Sequence, residues 1–172
     1  PLYVYWIIHA TQFLKDGGRL GMIISNSWLQ ANYGINFGRF LMDNYRVVAV
    51  IDIATKVFPV PLVGACVVLL EKEPDVKRRM ENNIVFMLLR PKESLNVDQV
   101  LKLIEDYSRK EPGYYKVSDE VTISVIKQGD VYNKNVKWIQ YFFNPEQLLK
   151  AITENPLTRR LDDLFEVSYG NI

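Results

Sequence analysis

Apolar and polar positions along this chain alternate in blocks that predict helices and strands in turn. A first helix is predicted by apolar residues at helical spacing, namely Tyr3, Ile7, Ala10 and Leu14. Gly17 and Gly18 then supply a C-terminal helix signal. The apolar run Leu20–Ile24 predicts a strand that is covered on both faces, and a second helix is expected around Ile35–Met42. The chain therefore begins in the manner of a parallel α/β sheet.

Two further apolar runs, Val47–Ile53 and Ala65–Leu70, predict a pair of strands. Their connection is short and contains Pro59 and Pro61. Parallel neighbours need a crossover of about a dozen residues or more, usually helical, so these two strands are predicted to be antiparallel. The sheet is therefore expected to turn antiparallel at its last strand.

The charged stretch 73–83 predicts a domain boundary or a long segment on the surface. A strand is predicted at Ile84–Leu89, and a helix that Asn96 caps follows it. The alternation over Val121–Val125 predicts a half-buried strand, and Asn144-Pro145 would open a last helix. The second part of the chain is therefore an α+β extension.

Composition limits the class of protein. The 172 residues are 48% hydrophobic with a formal net charge of +1, so the chain is neither disordered nor strongly attractive to nucleic acid. Its single cysteine, Cys66, lies in an apolar strand, which predicts an inert buried thiol and excludes a disulfide within the chain. No metal site is expected. The apolar runs are too short to span a membrane, so we expect a soluble, cytoplasmic protein.

The chain begins at Pro1 rather than at Met and stops at Ile172 without a tail. We therefore expect it to be a segment of a longer protein, with a function that belongs to the parent.

Several motifs occur together in a fixed order along the chain. They are the helix at Tyr3–Phe13, the run from Leu14-Lys15-Asp16-Gly17-Gly18 to Ile24, Ser27-Trp28-Leu29, Arg39, and Val57-Phe58-Pro59 before the strand that ends at Glu71-Lys72. This set resembles the second half of an N6-adenine DNA methyltransferase of type I and type II restriction-modification systems. The resemblance covers residues 1–73 and, less distinctly, residues 138–172.

The resemblance implies a Rossmann-like, seven-stranded methyltransferase sheet with a reversed last strand. In that family, S-adenosylmethionine binds in the first half of the domain and the catalytic Asn/Asp-Pro-Pro-Tyr/Phe motif lies upstream of the helix that begins this chain. Neither is present here, so no catalytic or cofactor-binding residue is assigned and the isolated segment is predicted to be inactive. The implied division is residues 1–73 for the catalytic half, 74–137 for the extension and 138–172 for the start of a target-recognition region.

Phe58 is the residue that the resemblance assigns to a site. An enzyme that modifies an adenine amino group swings the base out of the duplex, and an aromatic side chain in this loop of the family stacks on the flipped base. From the residues alone, the alternative is that Phe58 covers the core between its two strands.

Four basic residues are candidates for contacts to DNA phosphates, namely Arg78, Arg79, Lys134 and Lys137. Their alternative is an ordinary solvated surface. Trp28 is expected to fill the core and Arg39 to form a surface ion pair, whereas His9 has no second ligand in reach and is expected to be an ordinary helix residue.

Two rival functions stay open: a non-catalytic interaction module that binds protein through residues 138–143, and a methyltransferase for RNA or protein. The strand at Leu20–Ile24 raises a separate expectation. In the resembling fold its free side pairs with the strand that leads to the catalytic motif, so here it is expected to pair with a second copy or to be covered by the C-terminal region.

Overall fold

The structure is a computed structural model. It describes residues 1–54, 64–91 and 96–143, together with residues 155 and 159. The described helices are α1 (Leu2–Phe13), α2 (Tyr33–Asn44), α3 (Val76–Glu81), α4 (Val97–Ser108) and α5 (Gln128–Asn133), with 3₁₀ turns at Asn26–Leu29 and Trp138–Phe142. The described strands are β1 (Arg19–Ser25), β2 (Tyr45–Ile53), β3 (Ala65–Lys72), β4 (Asn83–Leu89), β5 (Gly113–Lys116) and β6 (Val121–Lys127).

These strands form one mixed sheet in the order β1-β3-β2-β4-β6-β5. Strand β3 runs antiparallel to both of its neighbours, so β1 and β2 point the same way, and β4 runs parallel to β2. We call the side of the sheet where β1, β2 and β4 end the carboxyl edge, and the opposite side the amino edge. The structure is thus of the α/β type, and the antiparallel pairing of β2 with β3 agrees with their short connection.

The prediction that the first strand is covered on both faces was wrong. Its residues alternate between exposed and partly buried, and Ile23 is 56% exposed. The physical reason is that β1 lies at the margin of the described sheet, paired only with β3, and that α1 and α2 pack on one face of this part of the sheet.

The stretch 73–83 contains α3, which the charged composition did not predict. Asp75 caps this helix by accepting a hydrogen bond from the Arg78 N–H at 2.9 Å, and Arg79 is buried beneath it. Strand β5 and helix α5 were not predicted either. The cap of α4 was predicted correctly, since the Asn96 side chain accepts from the Gln99 N–H at 3.2 Å. The helix expected after Asn144 lies outside the described residues.

The sheet separates two cores. On one face, α1, α2, α5 and both 3₁₀ turns cover an aromatic cluster in which the Trp28 and Trp138 ring centroids are 5.1 Å apart. On the other face, α4 packs with Ile104 on the apolar residues of β2, β4 and β6. Among the described residues, no helix is long and apolar enough to cross a membrane.

The aromatic core joins distant parts of the sequence. Trp28 is buried, as expected, and Phe86 of β4 packs against Trp138, Tyr141 and Phe142. Residues 138–142 therefore complete the same core that the first 50 residues begin. The division at residues 73 and 137 stays a prediction, although the sheet and this core continue across both positions.

A β-bulge interrupts the pairing of β2 with β3 between Val47 and Ala49. The side chain of Gln128, at the start of α5, is fully buried beside Val47 and forms four hydrogen bonds. Its Oε1 accepts from the Val47 N–H at 3.0 Å and from the Asn82 Nδ2 at 3.1 Å, while its Nε2 donates to the carbonyls of Met42 and Tyr45 at 3.3 and 2.9 Å. Gln128 thereby satisfies backbone groups of Met42, Tyr45 and Val47, which precede the residues of β2 that pair with β4.

Replacement of Gln128 by Leu should lower the free energy of unfolding by at least about 3 kcal/mol, because several buried polar groups lose their partner at about 1–3 kcal/mol each. Urea denaturation followed by circular dichroism measures this loss. The control is Gln99→Leu, at an exposed glutamine of α4, for which we expect a change within about 0.5 kcal/mol. Equal effects of the two substitutions would contradict the role given to Gln128.

Candidate functional site at the carboxyl edge

Polar residues follow β1 and β2 at the carboxyl edge of the sheet. Strand β1 ends at Ser25 and continues into Asn26 and Ser27, while Asp52 interrupts the apolar end of β2. Crevices at the carboxyl ends of parallel strands are the usual ligand sites of open α/β sheets. This edge is therefore the candidate functional site.

Asn26 connects the last residues of β2 with Gly64, the residue that precedes β3. Its Nδ2 donates to Asp52 Oδ1 at 2.9 Å, and its backbone N–H donates to the Gly64 carbonyl at 3.0 Å. A Cβ atom at Gly64 would lie 2.4 Å from the Asn26 Oδ1, so only glycine leaves room for this amide. Asn26 thus fixes the distance between the last residues of β2 and the residue that precedes β3.

Three hydroxyl groups from different elements meet beside Asn26. The Tyr3 hydroxyl of α1 lies 2.6 Å from that of Tyr33 in α2 and 3.2 Å from Ser27 Oγ, which is 3.1 Å from the Tyr33 hydroxyl. Burial raises the pKa of Tyr3 to about 12, so its hydroxyl is neutral near pH 7. This group joins the first turns of α1 and α2 to the end of β1.

Cys66 lies beneath this edge and is not a nucleophile. Trp28 donates its Nε1–H to Cys66 Sγ at 3.2 Å. Burial, with a smaller contribution from the Asp52 carboxylate, raises the pKa of the Cys66 thiol to about 12. The prediction that Cys66 is buried is confirmed, and because the thiolate is the reactive form, the raised pKa agrees with an inert thiol.

The described groups of the site are suited to hydrogen bonding rather than to covalent or metal chemistry. Tyr3 presents a neutral hydroxyl, and Asp52, 8% exposed, already accepts from Asn26. In the part of the chain that the structure describes, no group of three His, Cys, Asp or Glu side chains could hold a metal ion. The site offers donors and acceptors to an uncharged polar ligand.

The predicted site residue Phe58 lies outside the described residues. The described positions that flank its segment are Ala54, whose N–H donates to the Leu89 carbonyl at 2.8 Å, and Gly64, which accepts from Asn26. Both flanking positions lie at the carboxyl edge. The stacking role of Phe58 stays a prediction.

The structure does not bring three of the predicted phosphate contacts, Arg78, Arg79 and Lys134, to this edge. Arg78 and Arg79 belong to α3, and Lys134 follows α5; both helices pack at the amino edge beside the first residues of β2. The nine residues of β2 separate the two edges by roughly 26 Å, at about 3.3 Å per residue.

The exposure of these basic side chains differs. Arg78, Lys134 and Lys137 are exposed, whereas Arg79 is 8% exposed and donates through Nη1 to the Glu73 carbonyl. The phosphate role stays untested for all four, and the burial of Arg79 does not favour it.

Arg39 differs from expectation. It stacks on the Tyr132 ring, with the guanidinium carbon 3.8 Å from the ring centroid, and forms no ion pair with another described residue. His9 lies in α1 beside Phe13, in agreement with an ordinary helix position.

The hydrogen bond between Asn26 and Asp52 was not predicted from the sequence. Asp52 carried the available signal, because it is the one charged residue in the apolar run Val47–Ile53. Its partner could not be found in the same way, since Asn26 follows a different strand and resembles an ordinary turn residue.

Comparison with known proteins connects this edge to a family. Residues 1–58 match the model of the Eco57I restriction-modification methylase family. The resemblance to restriction-modification methylases is confirmed. The match includes β1, β2 and the polar residues at their ends, and it finishes at Phe58.

Two curated type II methyltransferases are each similar to about a third of this chain. The type II methyltransferase M.BstVI of Geobacillus stearothermophilus is 36% identical over 52 residues, which are 30% of this chain and 9% of that protein. The type II methyltransferase M.BanIII of Aneurinibacillus aneurinilyticus is 36% identical over 58 residues, which are 33% of this chain and 10% of that protein. The matched part is thus a small share of each relative.

One solved structure has a similar fold over a longer stretch. The type IIG restriction endonuclease BpuSI superposes with a TM-score of 0.62 and 16% sequence identity over 89% of this chain and 17% of that protein. At this identity the comparison concerns the fold alone. The mixed sheet, including residues beyond the family match, therefore has a counterpart in part of that restriction endonuclease.

The clamp at Asn26 can be tested with a double-mutant cycle. We expect Gly64→Ala to lower the free energy of unfolding by about 1–3 kcal/mol, because the new methyl group displaces the Asn26 amide from Asp52. In an Asn26→Ala background the same substitution should cost less than about 0.5 kcal/mol, since the obstructing amide is gone.

Chemical denaturation of the four variants measures the coupling. An equal cost of Gly64→Ala in both backgrounds would show that Gly64 is required for some other reason than its contact with Asn26.

Proposed function

We propose that this chain is the C-terminal half of the catalytic domain of an adenine-specific DNA methyltransferase of a restriction-modification system, followed by the start of its target-recognition region. The complete enzyme transfers a methyl group from S-adenosylmethionine to adenine N6 in double-stranded DNA. It acts in the cytoplasm.

The observation that carries this proposal is the match of residues 1–58 to the restriction-modification methylase family. The chain spans about a tenth of the length of the curated relatives that it matches. The activity is therefore proposed for a longer polypeptide that contains these residues, with the catalytic motif upstream of α1.

In this proposal Phe58 stacks on the flipped adenine. The described groups that flank its segment support this role, because Asn26 ties the end of β2 to Gly64 and so fixes the two positions from which the segment departs. Stacking between a base and an aromatic side chain is worth about 1–3 kcal/mol. The hydroxyls of Tyr3, Ser27 and Tyr33 lie at the same edge, where in this proposal they line the base pocket.

The described residues do not fit a site for S-adenosylmethionine. By analogy with dinucleotide sites, such a site needs a glycine-containing turn after a strand. It also needs an acidic residue that is free to bind the ribose hydroxyls. At the carboxyl edge, Asp52 is already bonded to Asn26. We therefore place the cofactor in the upstream half and assign none of its contacts to this chain.

The rival interaction module is not favoured. Its proposed binding residues are Trp138, Tyr141 and Phe142, which are buried in the aromatic core, and within 138–143 the large exposed apolar side chain is Phe143. A methyltransferase for RNA or protein differs from the proposal in its acceptor, which product analysis identifies.

The 172-residue chain alone should not bind S-adenosylmethionine, because the residues expected to hold it are absent. Isothermal titration calorimetry of the purified chain should therefore show no binding in the micromolar range. Micromolar binding would show that the boundaries assigned to the catalytic half are wrong.

Within the longer methyltransferase, Phe58→Ala should weaken capture of the flipped adenine by about 1–3 kcal/mol while leaving the free energy of unfolding nearly unchanged. Fluorescence of 2-aminopurine at the target position reports the extruded base. Phe143→Ala, at an exposed aromatic residue, serves as the matched control.

Unchanged 2-aminopurine fluorescence in Phe58→Ala would make Phe58 a structural residue. A separate assay tests the acceptor: nucleoside analysis of methylated DNA should yield N6-methyladenine. Methylated cytosine, or methyl transfer only to RNA or protein, would contradict the proposed function itself.

A further inference from the structure

An exposed arginine lies at the carboxyl edge, directly after β4. Strand β4 is parallel to β2 and ends at Leu89, so Arg90 follows it at the edge where β2 also ends. The side chain of Arg90 is exposed, in contrast to the buried residues of the strand that precedes it. The margin of the candidate site therefore carries a positive charge.

Hydrogen bonds on both sides fix the backbone at Arg90. The Leu89 carbonyl accepts from the Ala54 N–H at 2.8 Å, which ties this position to the end of β2. The Arg90 N–H donates to the Glu120 carbonyl at 2.8 Å and so continues the ladder between β4 and β6. Because the backbone is already held, a ligand of Arg90 has to order only the rotamers of its side chain.

Arg90 lies on the same face of the sheet as the polar residues of the candidate site. Side chains of a strand alternate between the two faces, so Arg90 shares a face with Leu88. Leu88 pairs with Asp52 and belongs to the aromatic core, on the face that α1 and α2 cover. The hydroxyls of Tyr3 and Ser27, at the end of β1, are three strands away, which is roughly 14 Å at about 4.8 Å per strand.

The guanidinium of Arg90 has no counter-ion among the described residues. It takes part in none of the ion pairs or cation–π contacts between them, and Glu120, whose carbonyl accepts from its N–H, forms no ion pair with it. Four other described arginines approach a glutamate to 3.9 Å or less, namely Arg19, Arg46, Arg78 and Arg109. The forked donors of a guanidinium match the oxygens of a phosphate, so Arg90 is suited to bind one.

We propose that Arg90 binds a phosphate of the DNA strand that carries the target adenine. This inference rests on the proposed function and adds a backbone contact to the edge at which the base is held. The arginine side chain and one extended nucleotide together span the distance from β4 to the hydroxyls at the end of β1. Phosphate contacts fix the orientation of the DNA and carry no sequence information. Arg90 is therefore a positioning residue for the strand from which the adenine is extruded.

The salt dependence of DNA binding by the longer methyltransferase tests this role. With Arg90→Gln one counterion fewer is released, so the slope of log K against log salt should become shallower by about 0.9. The same relation predicts that Kd rises about eightfold at about 0.1 M monovalent salt. The increase should be equal for DNA with and without the target sequence. Arg90→Lys should keep most of the slope, because lysine retains the charge.

The matched control is Lys127→Gln. Lys127 is exposed at the end of β6, next to β4, but it pairs with Asn83 at the amino edge. This substitution should leave both the slope and Kd unchanged. Equal changes in Arg90→Gln and Lys127→Gln would overturn the proposal, because they would reflect the net charge of the protein and not a contact at the carboxyl edge. Circular dichroism checks that each variant is folded.

Neutral phosphate analogues locate the contact on the DNA. A single methylphosphonate beside the target adenine should weaken binding by the unsubstituted enzyme by a similar factor, with no further effect in Arg90→Gln. If no position beside the adenine couples to Arg90, the proposal is overturned, while N6-methyladenine in the product still supports the proposed function. If the unsubstituted enzyme does not methylate DNA, the proposed function fails and this inference fails with it.

Discussion

The β-bulge in β2 decides on which face of the sheet the residues that follow it lie. Val48 is the additional residue of this bulge, and the N–H of the preceding Val47 donates to Gln128 Oε1. Beyond a bulge, every side chain points to the face opposite to the one that it would otherwise occupy. Asp52 therefore lies on the same face as Val50, where it accepts from Asn26, so a bulge near the amino edge sets the geometry of the carboxyl edge.

A segment late in the sequence contacts both the bulge of β2 and the part of the chain that forms the site. Gln128 begins α5, and Trp138 packs against Trp28 directly behind the end of β1; a Cβ at Gly38 would lie within 2.8 Å of the Trp138 ring. Neither residue lies within the part that matches the family model. The methylase-like edge is thus held in place by residues that follow the match.

Periodicity predicted the elements that their own residues determine, such as α1, β2 and β3, since an apolar stripe or run needs no knowledge of partners. It failed for α3 and α5, because six-residue helices are marginal alone and depend on tertiary contacts such as the burial of Arg79. It also failed for the exposure of β1, which depends on the number of its neighbours. At the site, the resemblance indicated Phe58, whereas the pairing of Asn26 with Asp52 follows from a register that only the folded sheet reveals.

Several of the described arginines are engaged by neighbouring groups. Arg19 and Arg46 both pair with Glu71, Arg78 approaches Glu73 at 3.9 Å, and Arg39 covers a tyrosine ring. Surface ion pairs contribute little to stability, yet each reduces the local field that would attract phosphates. The exposed Lys134 follows a helix at the amino edge, far from the carboxyl edge. If this chain takes part in DNA methylation, the described hydrogen-bonding groups at the carboxyl edge are suited to holding an uncharged base, at a distance from the exposed Lys134.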